Sequence, residues 1–182
     1  MRMMEVLRKC LLWLYCLDIS EAVFWMLAVT AAFLWLHGKL AGKRWWHCVL
    51  GGTFVCWVAV TLYTTLGNRD GSLQAVNHLW PFHSYLEVMN GGNRELLRSN
   101  FMNMALFYPG GLLGAGLLPV KRRRWLRCLA VVLVLTLMSI AIEWLQYRFA
   151  LGRCETDDVI HNMFGALLGS LLVGCVKRPA EK

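Results

Sequence analysis

Several chemistries are missing from this sequence. Its seven cysteines form no Cys-x-x-Cys pair and no Cys/His ligand spacing, and no His-Glu-x-x-His occurs; no metal site and no cofactor is therefore expected. Ser84, Ser99 and Ser139 lack the Gly-x-Ser-x-Gly setting of an activated serine. His78 and His83 are five residues apart, a spacing that does not put two ligands on one helical face, and His161, next to Asn162, is expected to face away from it. Most cysteines lie in apolar runs, where a thiol packs as a small apolar side chain. Cys154, beside Arg153, is the exception. There is no internal repeat, low-complexity linker or soluble domain. The N-terminal MRMMEVLRKCLLWLYCLD has no small-residue cleavage site after its short apolar core, so the segment is read as retained.

Charge is also scarce, at 16% of residues against 58% hydrophobic, with a mean hydropathy of +0.48. Charge-free runs at Ala22–Gly38, Trp45–Asn68, Ser99–Val120, Cys128–Ile142 and Val159–Val176 approach or reach the roughly 20 apolar residues that cross hydrocarbon. The expected fold class is all-α: a polytopic membrane protein whose transmembrane domain, 18–176, has five helices at about 20–37, 45–66, 99–119, 125–148 and 157–176, with an outer loop at 67–98 and a tail at 177–182. Residues 1–17 place Arg2, Glu5 and Lys9 on one helical face and Leu7, Leu11 and Leu14 on another, which predicts an interfacial amphipathic helix. A sixth partial span is the alternative.

The net charge of +8 does not indicate nucleic acid, because the basic residues sit between apolar spans. Lys39, Lys43 and Arg44, the Lys121–Arg127 stretch KRRRWLR, and Lys177, Arg178 and Lys182 hold 11 of the 19 basic residues with one acid, Glu181. The other side has eight basic residues and ten of the eleven acids. The positive-inside rule then puts 38–44, 120–127 and the C-terminus in the cytoplasm, and 67–98 and 149–156 outside.

The outer segment combines turn chemistry, NRDG and NGG, with an aromatic stretch HLWPFHSY. Its Trp80, Phe82 and Tyr85 suit the headgroup level or a cover over a site. Gly110 and Gly114 in the third span, and Gly165 and Gly169 in the fifth, repeat every four residues and predict a close helix contact. Pro109 should kink the third span and free a carbonyl.

Polar groups in the apolar spans require an explanation, since a charge at a helix centre costs roughly 2.5 to 3.5 kcal/mol on insertion scales. Asn103, Glu143 and Asn162 each lie roughly 6 to 9 Å inside an outer helix end at 1.5 Å per residue. Glu143 and Gln146 are spaced i, i+3, and Asp158 and Asn162 i, i+4, so three helices can turn polar stripes toward one layer. Asp157 and Asp158 also begin a helix, where carboxylates cap free amides. Asn103, Gln146 and Asn162 can bridge helices at about 0.6 kcal/mol each. No cap accounts for Glu143, and an intramembrane acid is a functional candidate by default.

The segments NHLWPF (Asn77–Phe82), NMALFYPGG (Asn103–Gly111), IEWLQ (Ile142–Gln146) and GRCETDDVIHNMFGALLG (Gly152–Gly169) occur in the order found in VanZ-like membrane proteins, and the chain resembles that family over about half its length. The resemblance implies a bacterial cytoplasmic-membrane protein associated with tolerance to teicoplanin-type glycopeptides. Matching positions are Asn77, Pro81, Phe82, Asn103, Phe107, Pro109, Gly111, Glu143, Gln146, Arg153, Asp158, Asn162 and Gly165. His78 and Gly110 depart from the pattern, where an apolar residue and Leu are usual.

Three functions fit these residues. In the first, an outward-facing pocket partly roofed by HLWPFHSY binds membrane lipids or a lipid-linked cell-wall precursor, with a glycopeptide as a further candidate partner. Arg153 would take a phosphate or carboxylate, and Asn77, Asn103, Gln146 and Asn162 would bind the polar head. In the second, Glu143 and Asp158 are the catalytic acid and base of an intramembrane hydrolase or transferase. In the third, the layer is structural and the chain is a partner in an envelope complex.

Overall fold

The computed structural model of the protein describes residues 19–67, 77–93, 95–118, 123–151 and 154–174. The N-terminal segment 1–17, the tail 177–182 and Arg153, on which expectations were placed, lie outside the described residues. The described residues are all-α apart from two short strands. Its elements are α1 (Ile19–Leu40), α2 (Arg44–Leu62) continued by one π-helical turn (Tyr63–Gly67), β1 (Asn77–His78), α3 (His83–Met89), α4 (Glu95–Leu117), α5 (Arg124–Arg148), β2 (Cys154–Glu155) and α6 (Thr156–Gly174).

Among the described residues, three helices, Ile19–Leu40, Arg44–Gly67 and Arg124–Arg148, are long and apolar enough to cross a membrane. Their apolar side chains point outward as well as inward: Phe24, Trp25, Leu27 and Trp35 on α1, Val55 on α2, and Leu129, Leu133, Leu137 and Trp144 on α5 are exposed. So broad an apolar exterior suits lipid, not water. The two other long helices, α4 and α6, pack on each other more extensively than any other pair; α4 lies inside the bundle, where a helix can bear Asn and Gly, while α6 keeps Phe164, Leu168, Leu171 and Leu172 exposed on one face.

The α4–α6 contact is backbone against backbone. Gly165 sits on the carbonyl of Met104, Gly169 on that of Tyr108, and Gly111 faces the carbonyl of Ala166. The contacts advance four residues on each helix, so α4 and α6 run parallel. The Gly165/Gly169 stripe makes the close approach expected of it. On α4, however, Gly110 abuts Trp57 and Gly114 abuts Val131, leaving Gly111 as the glycine that meets α6. Around this seam lie Phe107, Leu112, Leu135, Ile142 and Ala166. Thr30 and Tyr108 share a hydrogen bond of 2.5 Å that ties α1 to α4.

Pro109 lies inside α4, which continues through it. The ring removes one amide from the ladder, and in the same turn the Trp57 indole donates to the Leu106 carbonyl at 2.9 Å, tying α2 to the disturbed segment.

β1 and β2 pair in parallel, with Asn77 opposite Cys154 and His78 opposite Glu155. The Thr156 hydroxyl extends the junction by donating to the Leu79 carbonyl at 3.1 Å. This pair, α3 and the first turns of α4 and α6 gather at one end of the bundle, the β1–β2 end.

Candidate functional site

The densest polar assembly is at the β1–β2 end and centres on Asp157, a buried acid. Sequence position suggests a cap for its own helix. Its carboxylate instead accepts the Phe82 amide, the Ser84 amide at 2.9 Å and the Ser84 hydroxyl at 2.5 Å. These donors belong to the start of α3, so Asp157 caps a different helix. Asn100 of α4 completes the chain by donating to Ser84 Oγ at 2.7 Å. Phe82 adopts a left-handed backbone, φ 63°, which costs an L-residue about 1 to 2 kcal/mol; the hydrogen bond from its amide offsets that cost.

His161 faces a different element from Asn162, as its adjacent position predicts. It is buried, its Nδ1 lies 2.5 Å from the Asp157 carbonyl, and its Nε2 lies 2.7 Å from Tyr85 Oη. A carbonyl only accepts, so Nδ1 donates to it, and Nε2 shares the second hydrogen bond with the Tyr85 hydroxyl. Both His161 and Asn162 are buried because each meets a neighbouring element, Tyr85 of α3 and Ser139 of α5, while Phe164, Leu168, Leu171 and Leu172 leave another face of α6 exposed. Asp157, Ser84, Asn100, Tyr85 and His161 together dock α3 on α4 and α6. Only the aromatic segment HLWPFHSY pointed toward this docking in the sequence.

The second group runs along α5. Ser139, Glu143 and Gln146 are all buried on one face, with partners on three different elements. Glu143 Oε2 accepts the Glu155 amide at 3.0 Å, fastening β2 to α5. Gln146 Nε2 donates to the Thr65 carbonyl at 3.0 Å, within the widened turn that ends α2. Asn162 Nδ2 donates to Ser139 Oγ at 2.8 Å. Ser139 is one turn deeper than Glu143, and Gln146 is nearer the helix end. The polar groups thus form a ladder along the α5–α6 seam with a broader depth range than one layer.

Glu143, Asp158 and Glu155 converge on Cys154. Burial first, then the charges of Glu143, Asp158 and Glu155, push its thiol pKa above the ordinary value. Each effect penalises the thiolate, so Cys154, free in this structure, is a poor nucleophile. The two acids assigned to acid/base chemistry are therefore brought to one place. Among the described residues, no group of three His, Cys, Asp or Glu is arranged to hold a metal ion. Asn77 enters through the strand register with Cys154.

Among the described residues, the buried side-chain atoms without a hydrogen-bond partner include Asn103 Nδ2, Gln146 Oε1 and Asn162 Oδ1 in this half of the bundle. They belong to α4, α5 and α6 and leave one donor and two acceptors unused. Leaving a buried polar group unpaired costs about 1 to 3 kcal/mol. An open hollow lined by His83, Leu86, Glu87, Asn90, Gly91 and Gly92 lies on α3, apart from these atoms.

The sequence model of the family described as VanZ/LLP1 matches residues 52–177, which include every residue of this assembly. No curated protein and no solved structure matches the chain.

Proposed function

The chain belongs to the VanZ-like family, and on that premise we propose that it is a five-span protein of the bacterial cytoplasmic membrane whose outward-facing β1–β2 end binds the polar head of a lipid-linked cell-wall precursor or related envelope amphiphile. The observation that carries this reading is the set of unpartnered buried atoms on Asn103, Gln146 and Asn162, one on each helix around the seam. A head rich in hydroxyls and amides can supply the missing donors and acceptor. α4 and α6 complete the five spans of this reading, and the basic loops at the opposite end orient the bundle.

The acids set a condition on the ligand. Glu143, Asp158 and Glu155 gather around Cys154, so a phosphate cannot approach the described part of the site without repulsion. Its place is at Arg153, which can hold it bidentately, while the uncharged part of the head reaches the ladder. The expected phenotype is tolerance to teicoplanin-type glycopeptides through engagement of their envelope target.

A second reading has its own support: Glu143 and Asp158 both act on the Cys154 thiol, and the pair would serve as acid and base for hydrolysis or transfer on an envelope lipid. Glu143→Gln and Glu143→Ala in the full chain separate the two. For a binder, the glutamine variant keeps partial binding of a lipid-linked precursor in nanodiscs and partial glycopeptide tolerance. For an enzyme, both variants bind the precursor but lose turnover. Folded variants that match the parent in binding and tolerance overturn both.

A further inference from the structure

At the opposite end of the bundle, α5 begins with an arrangement that the function above does not use. Arg127 is 94% buried by its 6% exposure, its Nε is sealed from the surface without a hydrogen-bond partner, and no carboxylate among the described residues pairs with its guanidinium. An arginine cannot escape this cost by losing its proton, and an uncompensated buried charge is strongly destabilising. The neighbouring positions increase the positive field. Arg123 and Arg124 are exposed beside it, and the first turn of α5 contains no acid.

The backbone points the same way. Arg123 is the N-cap of α5 but makes no side-chain cap bond, and the Leu126 and Arg127 amides both turn back to the Arg123 carbonyl. The earliest amides, of Arg124 and Trp125, lack intrahelical partners, as at any helix start. A helix start favours an anion, yet this one is surrounded by arginines. Depth follows from the packing: Val131 abuts Gly114 of α4, so Arg127, one turn nearer the end, is level with the last residues of α4. Cys128 beside it meets Ser170 of α6 at 2.9 Å.

We propose that the start of α5 is an anionic-lipid site, in which the phosphate of a membrane phospholipid pairs with Arg127 and the free amides of the first turn while Arg123 and Arg124 hold the headgroup from outside. The exposed Leu126 and Leu129 provide an apolar surface for the acyl chains. A phospholipid fits better than a dissolved anion because the site combines a buried cation with an exterior that only hydrocarbon covers.

The test uses the full chain in nanodiscs of phosphatidylcholine with or without phosphatidylglycerol, comparing the parent with Arg127→Met and Arg127→Lys. Co-retained phosphatidylglycerol is measured by mass spectrometry, and unfolding is measured in both lipids. The expected result is a drop of about fivefold or more in phosphatidylglycerol retention for Arg127→Met, as for loss of one basic residue at a membrane surface, with an intermediate value for Arg127→Lys. Arg127→Met should be no less stable than the parent in phosphatidylcholine alone and should lose the parent's gain from phosphatidylglycerol. Equal retention by parent and Arg127→Met overturns the proposal. So does early unfolding of Arg127→Met in both lipids, which assigns the arginine to packing at the end of α4. Protection by inorganic phosphate equal to that by phosphatidylglycerol also overturns it, in favour of a dissolved anion.

Discussion

Asp157 and Ser84, 73 residues apart, are joined by two hydrogen bonds, one from the serine amide and one from its hydroxyl. Through them the first turn of α6 fixes the first turn of α3. Asp157→Ala leaves the Phe82 and Ser84 amides without their acceptor and should cost about 3 kcal/mol. Asp157→Asn keeps one acceptor oxygen and should cost less. Limited proteolysis within α3 together with thermal unfolding checks the order; equal behaviour of both variants and the parent would remove Asp157 from its capping role.

The α4–α6 seam predicts a contrast between two glycines. A methyl at Gly165 enters the Met104 carbonyl, which belongs to backbone and cannot swing aside, so Gly165→Ala should cost about 3 kcal/mol or prevent folding. Gly52 on α2 has nothing within 4 Å of the position its methyl would take. Gly52→Ala should be neutral or up to about 1 kcal/mol stabilising. Unfolding midpoints in one detergent compare the two directly.

Cys154 should show a pH profile displaced upward. The thiolate is the form that reacts with maleimide, and both burial and the nearby carboxylates disfavour it. Alkylation of a variant retaining only Cys154 should therefore rise at higher pH than for a free thiol in water. Glu143→Gln removes one negative neighbour, stabilises the thiolate relative to the parent and should move the profile toward lower pH. Burial remains, so the profile should stay above that of the free thiol. An unchanged profile in Glu143→Gln would separate the two residues electrostatically.

Asn162 and Ser139 should couple as a hydrogen-bonded pair inside a membrane. A double-mutant cycle with Asn162→Ala and Ser139→Ala should give an interaction of about 0.6 kcal/mol. If Asn162 Oδ1 meets a ligand, Asn162→Ala should weaken precursor binding beyond any loss seen in Ser139→Ala; equal losses would confine Asn162 to bridging helices.

Much of this organisation was legible because membrane burial leaves a simple signature. Apolar runs mark helices, and polar residues within them stand out, so Glu143, Gln146 and Asn162 could be singled out before their surroundings were known. What periodicity did not reveal was the partner of each group. Asp157 looked like a cap because it begins a helix, and it is one, but for α3, whose first turn is brought near only by the fold. His161 faces away from Asn162 as spacing predicts, but its bond to Tyr85 of α3 depends on the fold and has no counterpart in the spacing. Length and hydropathy mark three of the described helices as membrane-crossing where five are expected; the Asn, Pro and Gly residues of α4 lower its hydropathy, and α6 opens with two aspartates and is described only to Gly174. Gly110 and Gly114 illustrate a further limit, since spacing identifies a small-residue face without naming the helix that meets it.

The pairing of Asn77 with Cys154 also orders events during synthesis. β1 leaves the ribosome long before β2, and α3 emerges before the Asp157 that will cap it; at about 5 to 20 residues per second, the intervening chain takes roughly 4 to 15 seconds to make. During that interval the strand edge and the left-handed Phe82 turn lack their native partners, while α4 and α5 are produced. Assembly of the β1–β2 end must therefore follow entry of those helices, making this end a checkpoint that only a chain with α6 in place can pass.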